Sequence, residues 1–110
     1  MPYYLFTGRY STDALKAMVA KPQDREAAAR KLIEGIGGKL HHLFFAFGDE
    51  DIYALIEAPD DRTMAAGALV VGASGTMSGG RTIKLMTSGE AMEAMKAAGK
   101  ATPSYKGAIG

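Results

Sequence analysis

The chain has 110 residues, with 13 Lys or Arg, 12 Asp or Glu and a formal net charge of +1. This balance provides no basic field for nucleic acid or for an anionic membrane surface. Cysteine is absent, which excludes disulfides, thiolate catalysis and thiolate metal sites. The length suits one domain. No apolar run approaches a membrane span and the start lacks a signal-peptide pattern, so we expect a cytoplasmic protein.

The first half of the chain predicts three strands and an intervening helical region. Aromatic and apolar residues from Tyr3 to Tyr10 predict the first strand. Apolar residues at helical spacing follow a cap candidate at Ser11, and again after Pro22, which suits the first turn of a helix. Residues 39–47 and 51–58 predict the next two strands, and the connection between them is short enough only for an antiparallel hairpin.

The second half predicts a helix, a strand and a short terminal helix. The helix opens at Asp60, its expected cap. Glycine-rich residues 72–80 predict a loop, and residues 81–87 predict the fourth strand. The terminal helix follows, so we divide the chain into a domain of residues 1–98 and a flexible tail of residues 99–110.

The element order βαββαβ with a C-terminal helix predicts an α+β, ferredoxin-like fold. Right-handed crossovers place both helices on one face of the sheet. The other face is then apolar and bare, because the second and third strands carry apolar residues at both parities. Such patches usually mark interfaces, so we expect a two-fold homodimer through the sheet face. Alternatively, the terminal helix covers that face with Met92 and Met95.

An ordered set of short segments resembles the GYD-domain family of small bacterial proteins. The resemblance spans roughly residues 3–98 and rests on Tyr4-Leu5, Pro22-Gln23-Asp24-Arg25, Gly37-Gly38-Lys39-Leu40, Phe47-Gly48, Asp51-Ile52 and Glu57-Ala58-Pro59-Asp60-Asp61. It implies a dimeric α/β barrel and fixes no reaction. The chain departs from the family pattern at Glu50, where the name-giving tyrosine falls. Proteins of similar architecture include cofactor-free monooxygenases, isomerases and haem proteins, so any activity taken from them is an analogy of fold.

The two histidines, His41 and His42, are consecutive on a predicted strand. Consecutive side chains on a strand point to opposite faces, so we expect one histidine on the helix side and one on the open side. The open-side ring would serve as an acid–base group or as a haem or metal ligand. The alternative is an ordinary hydrogen-bonded or solvated histidine. Because one ion cannot sit on both faces, we predict no metal site from the pair.

Four other polar residues complete the candidate set. Asp51, which follows two acidic turn residues, caps backbone groups or faces the pocket, whereas the acidic turn itself lacks the spacing of a calcium loop. Tyr53, Arg81 and Lys84 lie on predicted strands and could line a pocket for a small, anionic aromatic molecule. Alternatively, Tyr53 packs at the dimer interface and the two basic residues are solvated.

Two classes of function agree with these residues. The first is a non-catalytic or regulatory module that binds a small molecule or builds an oligomer. The second is a cofactor-free monooxygenase- or isomerase-like enzyme acting on a small aromatic or anionic substrate, with His41 or His42, Asp51 and Tyr53 as its catalytic candidates. Haem binding through one histidine is a third, weaker hypothesis, and the residues name no cofactor.

Overall fold

The computed structural model describes residues 1–109 and contains four strands, four α-helices and one short 3-10 helix. In chain order these are β1 (Tyr3–Tyr10), α1 (Thr12–Ala20), α2 (Arg25–Gly35), β2 (Lys39–Phe45), β3 (Ile52–Glu57), α3 (Asp61–Ala73), β4 (Met77–Leu85), α4 (Ser88–Ala101) and the 3-10 helix Thr102–Ser104. Among residues 1–109, no helix combines the length and the apolar character that crossing a membrane requires.

The four strands form one antiparallel sheet in the order β2-β3-β1-β4. This order and the α+β composition are compatible with the predicted ferredoxin-like fold. Strand β1 lies in the interior of the sheet and pairs with β3 on one side and β4 on the other. The β2–β3 hairpin is antiparallel, as its short connection predicts.

Side-chain caps explain where the helices begin. Ser11 Oγ accepts the Ala14 N–H at 3.1 Å, and Asp60 accepts the Thr63 N–H at 2.8 Å, so both predicted caps are confirmed. Helix α2 begins later than Pro22 suggested, because Asp24 is its cap. Helix α4 has a reciprocal capping box between Thr87 and Glu90.

The core lies between one face of the sheet and the helices. Its strand members alternate with residues of the other face, as a half-covered sheet requires. Leu40 is the largest fully buried side chain, at 1% exposure. The buried cluster consists of Tyr4, Tyr10, Ile33, Leu40, Leu43, Ile52, Ala54, Ile56, Ala58 and Met64. We call the other side of the sheet the open face.

Strand β4 begins earlier than the sequence predicted. The glycine-rich residues 72–80 predict a loop, but the last of them, from Met77, already pair with β1. Gly8 lies opposite Gly80, and a Cβ on Gly80 would come within 3.0 Å of the Thr7 carbonyl oxygen. Close pairing of two glycine-containing strands therefore overrides the low strand propensity of glycine.

Helix α4 extends away from the sheet and covers little of it. Apart from the 3-10 helix that follows it, α4 makes very few contacts with other elements. Its side chains Met92 and Met95 are 51% and 68% exposed. The Cα radius of gyration is 17.9 Å, whereas a compact domain of about 100 residues has one near 13 Å. The alternative in which the terminal helix covers the open face of its own chain is therefore wrong. The helix also continues to Ala101, past the predicted boundary at residue 98.

Leu40→Ala should test where the core lies. The substitution removes a fully buried side chain, so we expect a loss of about 3 kcal/mol in the free energy of unfolding, measured by urea denaturation. Leu69→Ala is the matched control, because Leu69 is 73% exposed on α3, and it should change stability by less than about 0.5 kcal/mol. Equal effects of the two substitutions would contradict the assignment of the core.

Candidate functional site

The open face carries most of the candidate polar residues, arranged in rows across the strands. One row runs from His42 through Leu55 and Leu5 to Ile83. The next row runs from Phe44 through Tyr53 and Thr7 to Arg81. The open face is thus an apolar surface with titratable groups among its members.

A β-bulge in β2 places both histidines on the open face. The register with β3 shifts between Leu40, opposite Ile56, and His42, opposite Leu55. The extra residue, His41, stacks on the open-face ring of Tyr3 with ring centroids 5.7 Å apart. The prediction that the two histidines point to opposite faces is therefore wrong, because a bulge interrupts the alternation of side chains along a strand.

His41, Tyr3 and Glu57 form a titratable cluster, which we call the His41 cluster. His41 Nε2 lies 2.9 Å from Glu57 Oε1, and Glu57 lies opposite Tyr3 in the sheet. The Tyr3 hydroxyl and then His41 stabilise the carboxylate and lower the pKa of Glu57 below 4.5. The same carboxylate raises the pKa of Tyr3. A carboxylate beside Nε2 favours the tautomer protonated there, which leaves Nδ1 as a proton acceptor.

His42 and Tyr53 belong to the apolar part of the open face. The His42 ring stacks on Phe44, with centroids 5.6 Å apart and an interplanar angle of 15°. Tyr53 is 40% exposed and lies opposite Phe44 on one side and Thr7 on the other. Arg81 lies across β1 from Tyr53, so these two predicted ligand-binding residues share a row.

Lys84 lies on the opposite side of the sheet from Tyr53 and Arg81. It pairs in register with the buried Tyr4, and its Nζ is 2.9 Å from Asp61 of α3. The Tyr4 hydroxyl donates to the same carboxylate at 2.5 Å. Burial, followed by this hydrogen bond, raises the pKa of Tyr4 to about 12. A single pocket lined by Tyr53, Arg81 and Lys84 is therefore wrong within one chain, because β4 residues of different parity face opposite sides.

Asp51 has a structural role at the end of the sheet. Its carboxylate accepts the Tyr10 backbone N–H at 2.9 Å, and its own N–H donates to the Gly8 carbonyl at 2.8 Å. These bonds tie the β2–β3 hairpin to β1, as the backbone-capping alternative for Asp51 predicts. The neighbouring Glu50 lies 3.7 Å from Arg81, so the acidic turn contacts an open-face cation.

Each histidine ring already contacts a neighbouring side chain in the single chain. Within residues 1–109, no group of three His, Cys, Asp or Glu side chains could hold a metal ion. His41 Nε2 already contacts Glu57, and the His42 ring stacks on Phe44. An apolar cavity of the chain lies on the helix side of the sheet and has no histidine in its lining, so this cavity does not place a haem beside either ring.

The sequence-based candidate set included His41 and missed its two partners. Tyr3 and Glu57 are far apart in the sequence, and only the antiparallel register of β1 and β3 places them opposite each other. The alternation of side chains along the strands could have indicated that Tyr3 and Glu57 share a face, since each is next to a buried residue, Tyr4 or Ile56, of the other face. The bulge that brings His41 to Tyr3 and Glu57 cannot be recognised from the pattern of residue types.

Comparison with known proteins gives a family match. The family model described as the GYD domain matches residues 4–95. Searches of the curated proteins and of the solved structures found no match. The matched range covers the sheet except its first residue, Tyr3, and also the first part of α4, so it confirms the predicted family without supplying a ligand or an activity.

Glu57→Gln should flatten the acid dependence of stability. Because the folded-state pKa of Glu57 is lowered, its ionised form stabilises the fold above the ordinary value of 4.5. That contribution disappears as the pH falls through the folded-state pKa. We therefore expect the stability difference between native protein and variant to shrink between about pH 5 and about pH 3, measured by urea denaturation.

Glu93→Gln is the matched control for this pH series, because Glu93 pairs only with Lys96 on the exposed surface of α4. Its stability curve should follow that of the native protein at every pH. If Glu57→Gln also ran parallel to the native curve, the ionised Glu57 carboxylate would have no specific partner in the folded state.

Proposed function

The chain belongs to the GYD-domain family, and from its uncovered sheet face we propose that it works as a homodimeric binding module. Two copies pack open face to open face about a two-fold axis and form a dimeric α/β barrel. The module has no reaction of its own and binds a small molecule. The strongest support for the dimer is that two features occur in the same chain. The open face is apolar and exposed, and α4 makes very few contacts with the rest of its own chain.

The open face has the composition of an interface core. Phe44, Tyr53 and Ile83 are 63%, 40% and 41% exposed, and they adjoin Leu5 and Leu55 in the central strands. Apolar patches of this kind on a single chain usually mark interaction sites, and aromatic residues are enriched at such sites. A sheet packed against a second sheet about 10 Å away would remove these side chains from water.

The size of the face indicates that α4 also contributes to the dimer. Four strands at about 4.8 Å spacing, each about seven residues long, cover roughly 20 Å by 23 Å. That area is smaller than the roughly 800 Å² that each partner buries in a standard interface. The apolar side of α4, with Met92 and Met95, lies outside the body of its own chain and would supply the remainder against the second copy.

A second candidate function is acid–base catalysis of the cofactor-free isomerase or oxygenase type. The His41 cluster favours it, because a carboxylate-oriented imidazole is a common general base. In a sheet-to-sheet dimer this cluster would lie at the edge of the interface. His41→Ala and His42→Ala distinguish the candidates, since only the catalytic function requires turnover to depend on His41 while the fold and the dimer persist.

Ile83→Glu should convert the dimer to a monomer. A charge at this exposed position on the open face would be buried without a partner in the dimer, which is strongly unfavourable. Native mass spectrometry should show twice the 11.6 kDa chain mass for the unmodified protein and the single mass for the variant. Leu69→Glu, at an exposed position on α3, should remain dimeric. A monomeric native protein, or a dimeric Ile83→Glu, would contradict the proposal.

Removal of residues 88–110 should weaken the dimer without unfolding the sheet. Since α4 makes only fringe contacts with other elements, we expect the melting temperature of the dilute, monomeric protein to stay within a few degrees of the full chain. The dimer dissociation constant, measured by sedimentation, should rise at least tenfold. An unchanged constant would show that the sheet face alone forms the dimer.

A further inference from the structure

The helix side of the sheet contains an apolar cavity of about 270 Å³ between α2 and α3. Its floor is formed by the sheet residues Phe6, Ile52 and Ala54, and its walls by Leu32 of α2 and Val71 of α3. Ligand pockets begin at roughly 300 Å³, so the cavity lies just below that range and suits only a small ligand. It lies on the side of the sheet away from the open face and is therefore separate from the proposed dimer surface.

Small residues on both helices create this space. Gly67 approaches Ile36 closely, since a Cβ there would come within 3.2 Å of Ile36 Cδ1. Beyond that contact the walls are lined by Ala28 and Ala29 on α2 and Ala68 on α3, which are too short to meet across the gap. A layer of larger apolar side chains would close the gap, as protein interiors normally do.

One end of the cavity is polar. Its polar lining residues come from the ends of four elements. They are Tyr10 at the end of β1, Arg25 at the start of α2, Ser74 at the C-terminal cap of α3 and Thr76 before β4. The Ser11 N–H donates to the Thr76 carbonyl at 2.8 Å, and this hydrogen bond joins the end of β1 to the segment before β4. Burial raises the pKa of Tyr10, and the nearby Arg25 guanidinium opposes that rise, so the cation lies beside the tyrosine hydroxyl.

Arg25 is a cation without a carboxylate partner among residues 1–109. Its Nη1 donates to the neutral Gln23 side chain at 2.8 Å, and its buried Nε has no partner within this range. The adjacent carboxylates are already engaged, since Asp24 caps α2 and Glu26 pairs with Arg30 at 2.7 Å. A buried, unpaired guanidinium N–H is unfavourable, and a carboxylate satisfies its fork of donors well.

We propose that this cavity binds a small apolar monocarboxylate, with the apolar body between α2 and α3 and the carboxylate on Arg25. The apolar lining and its size select the body, and the uncompensated cation at the polar end selects the head group. This inference rests on the proposed small-molecule-binding module and names its ligand class. It is independent of the proposed dimer, because each chain contains a complete cavity and the open face takes no part in it.

Octanoate and octan-1-ol are matched probes, because they differ in the charged head group and share an apolar chain. We expect saturable octanoate binding in amide NMR spectra of the full chain, with shifts centred on Ala28, Ala68 and Val71. Arg25→Gln should weaken octanoate about tenfold, the effect of losing one charge-assisted hydrogen bond, and leave octanol unchanged. Ala68→Phe, which fills the cavity, should abolish binding of both probes.

Arg62→Gln is the control for charge, because Arg62 is an exposed cation on α3 that does not line the cavity, and it should bind octanoate as the native protein does. Shifts centred on Leu5 and Leu55, no saturation at millimolar octanoate, or an equal effect of Arg25→Gln on both probes would overturn the site. These three outcomes are measured on the native protein and on Arg25→Gln, so they remain informative if Ala68→Phe fails to fold. A change from dimer to monomer in Ala68→Phe would show that a second copy occupies the cavity and would also overturn the proposal.

Discussion

The pairing of β1 with strands on both of its edges is the constraint on which the rest of this structure depends. Hydrogen bonds to β3 and β4 hold β1 inside the sheet, so its alternate side chains must face opposite sides. Tyr4 and Tyr10 then belong to the core, whereas Tyr3 and Leu5 belong to the open face. Since helices α2 and α3 pack on one side only, no helix covers the apolar residues of the other parity. The proposed dimer is the simplest way to remove that surface from water.

The bulge in β2 determines where the titratable groups lie. Without it, the alternation of the strand would separate the two histidines, and one of them would point toward the helices. With it, His41 stacks on Tyr3 and contacts Glu57, and all three side chains are on the open face. Bulges commonly re-aim a side chain in this way at functional positions. The contact between Glu57 and His41 is an ordered arrangement on an otherwise apolar surface, and it is the feature that gives the acid–base alternative its physical basis.

The two sides of the sheet therefore offer different chemistry. The open face is broad and apolar and suits another protein surface, with α4 extending beyond it. The helix side contains a narrow cavity with one uncompensated cation, Arg25, which suits a small acid. The Tyr4–Asp61–Lys84 contacts belong to this side as well, although they hold α3 to the sheet and leave no free group for a ligand. The proposed dimer surface and the proposed ligand cavity lie on opposite sides of the sheet, so a chain of 110 residues has room for both.

The element order, the two predicted helix caps and the one-sided covering of the sheet could be predicted from the residues alone, because these features follow from local hydrophobic spacing and turn chemistry. The sequence also identified the family through short segments such as Gly37-Gly38-Lys39-Leu40. Only the tertiary structure decided the early start of β4, the side on which His41 lies and the contact between His41 and Glu57. Each of these depends on hydrogen bonds between strands that are distant in the sequence, and a bulge changes register without changing the pattern of residue types. The placement of Lys84 and Arg81 on opposite sides of the sheet could have been predicted, because an odd number of positions separates them on one strand. The departure of α4 from the sheet could not, since only its lack of contacts reveals it.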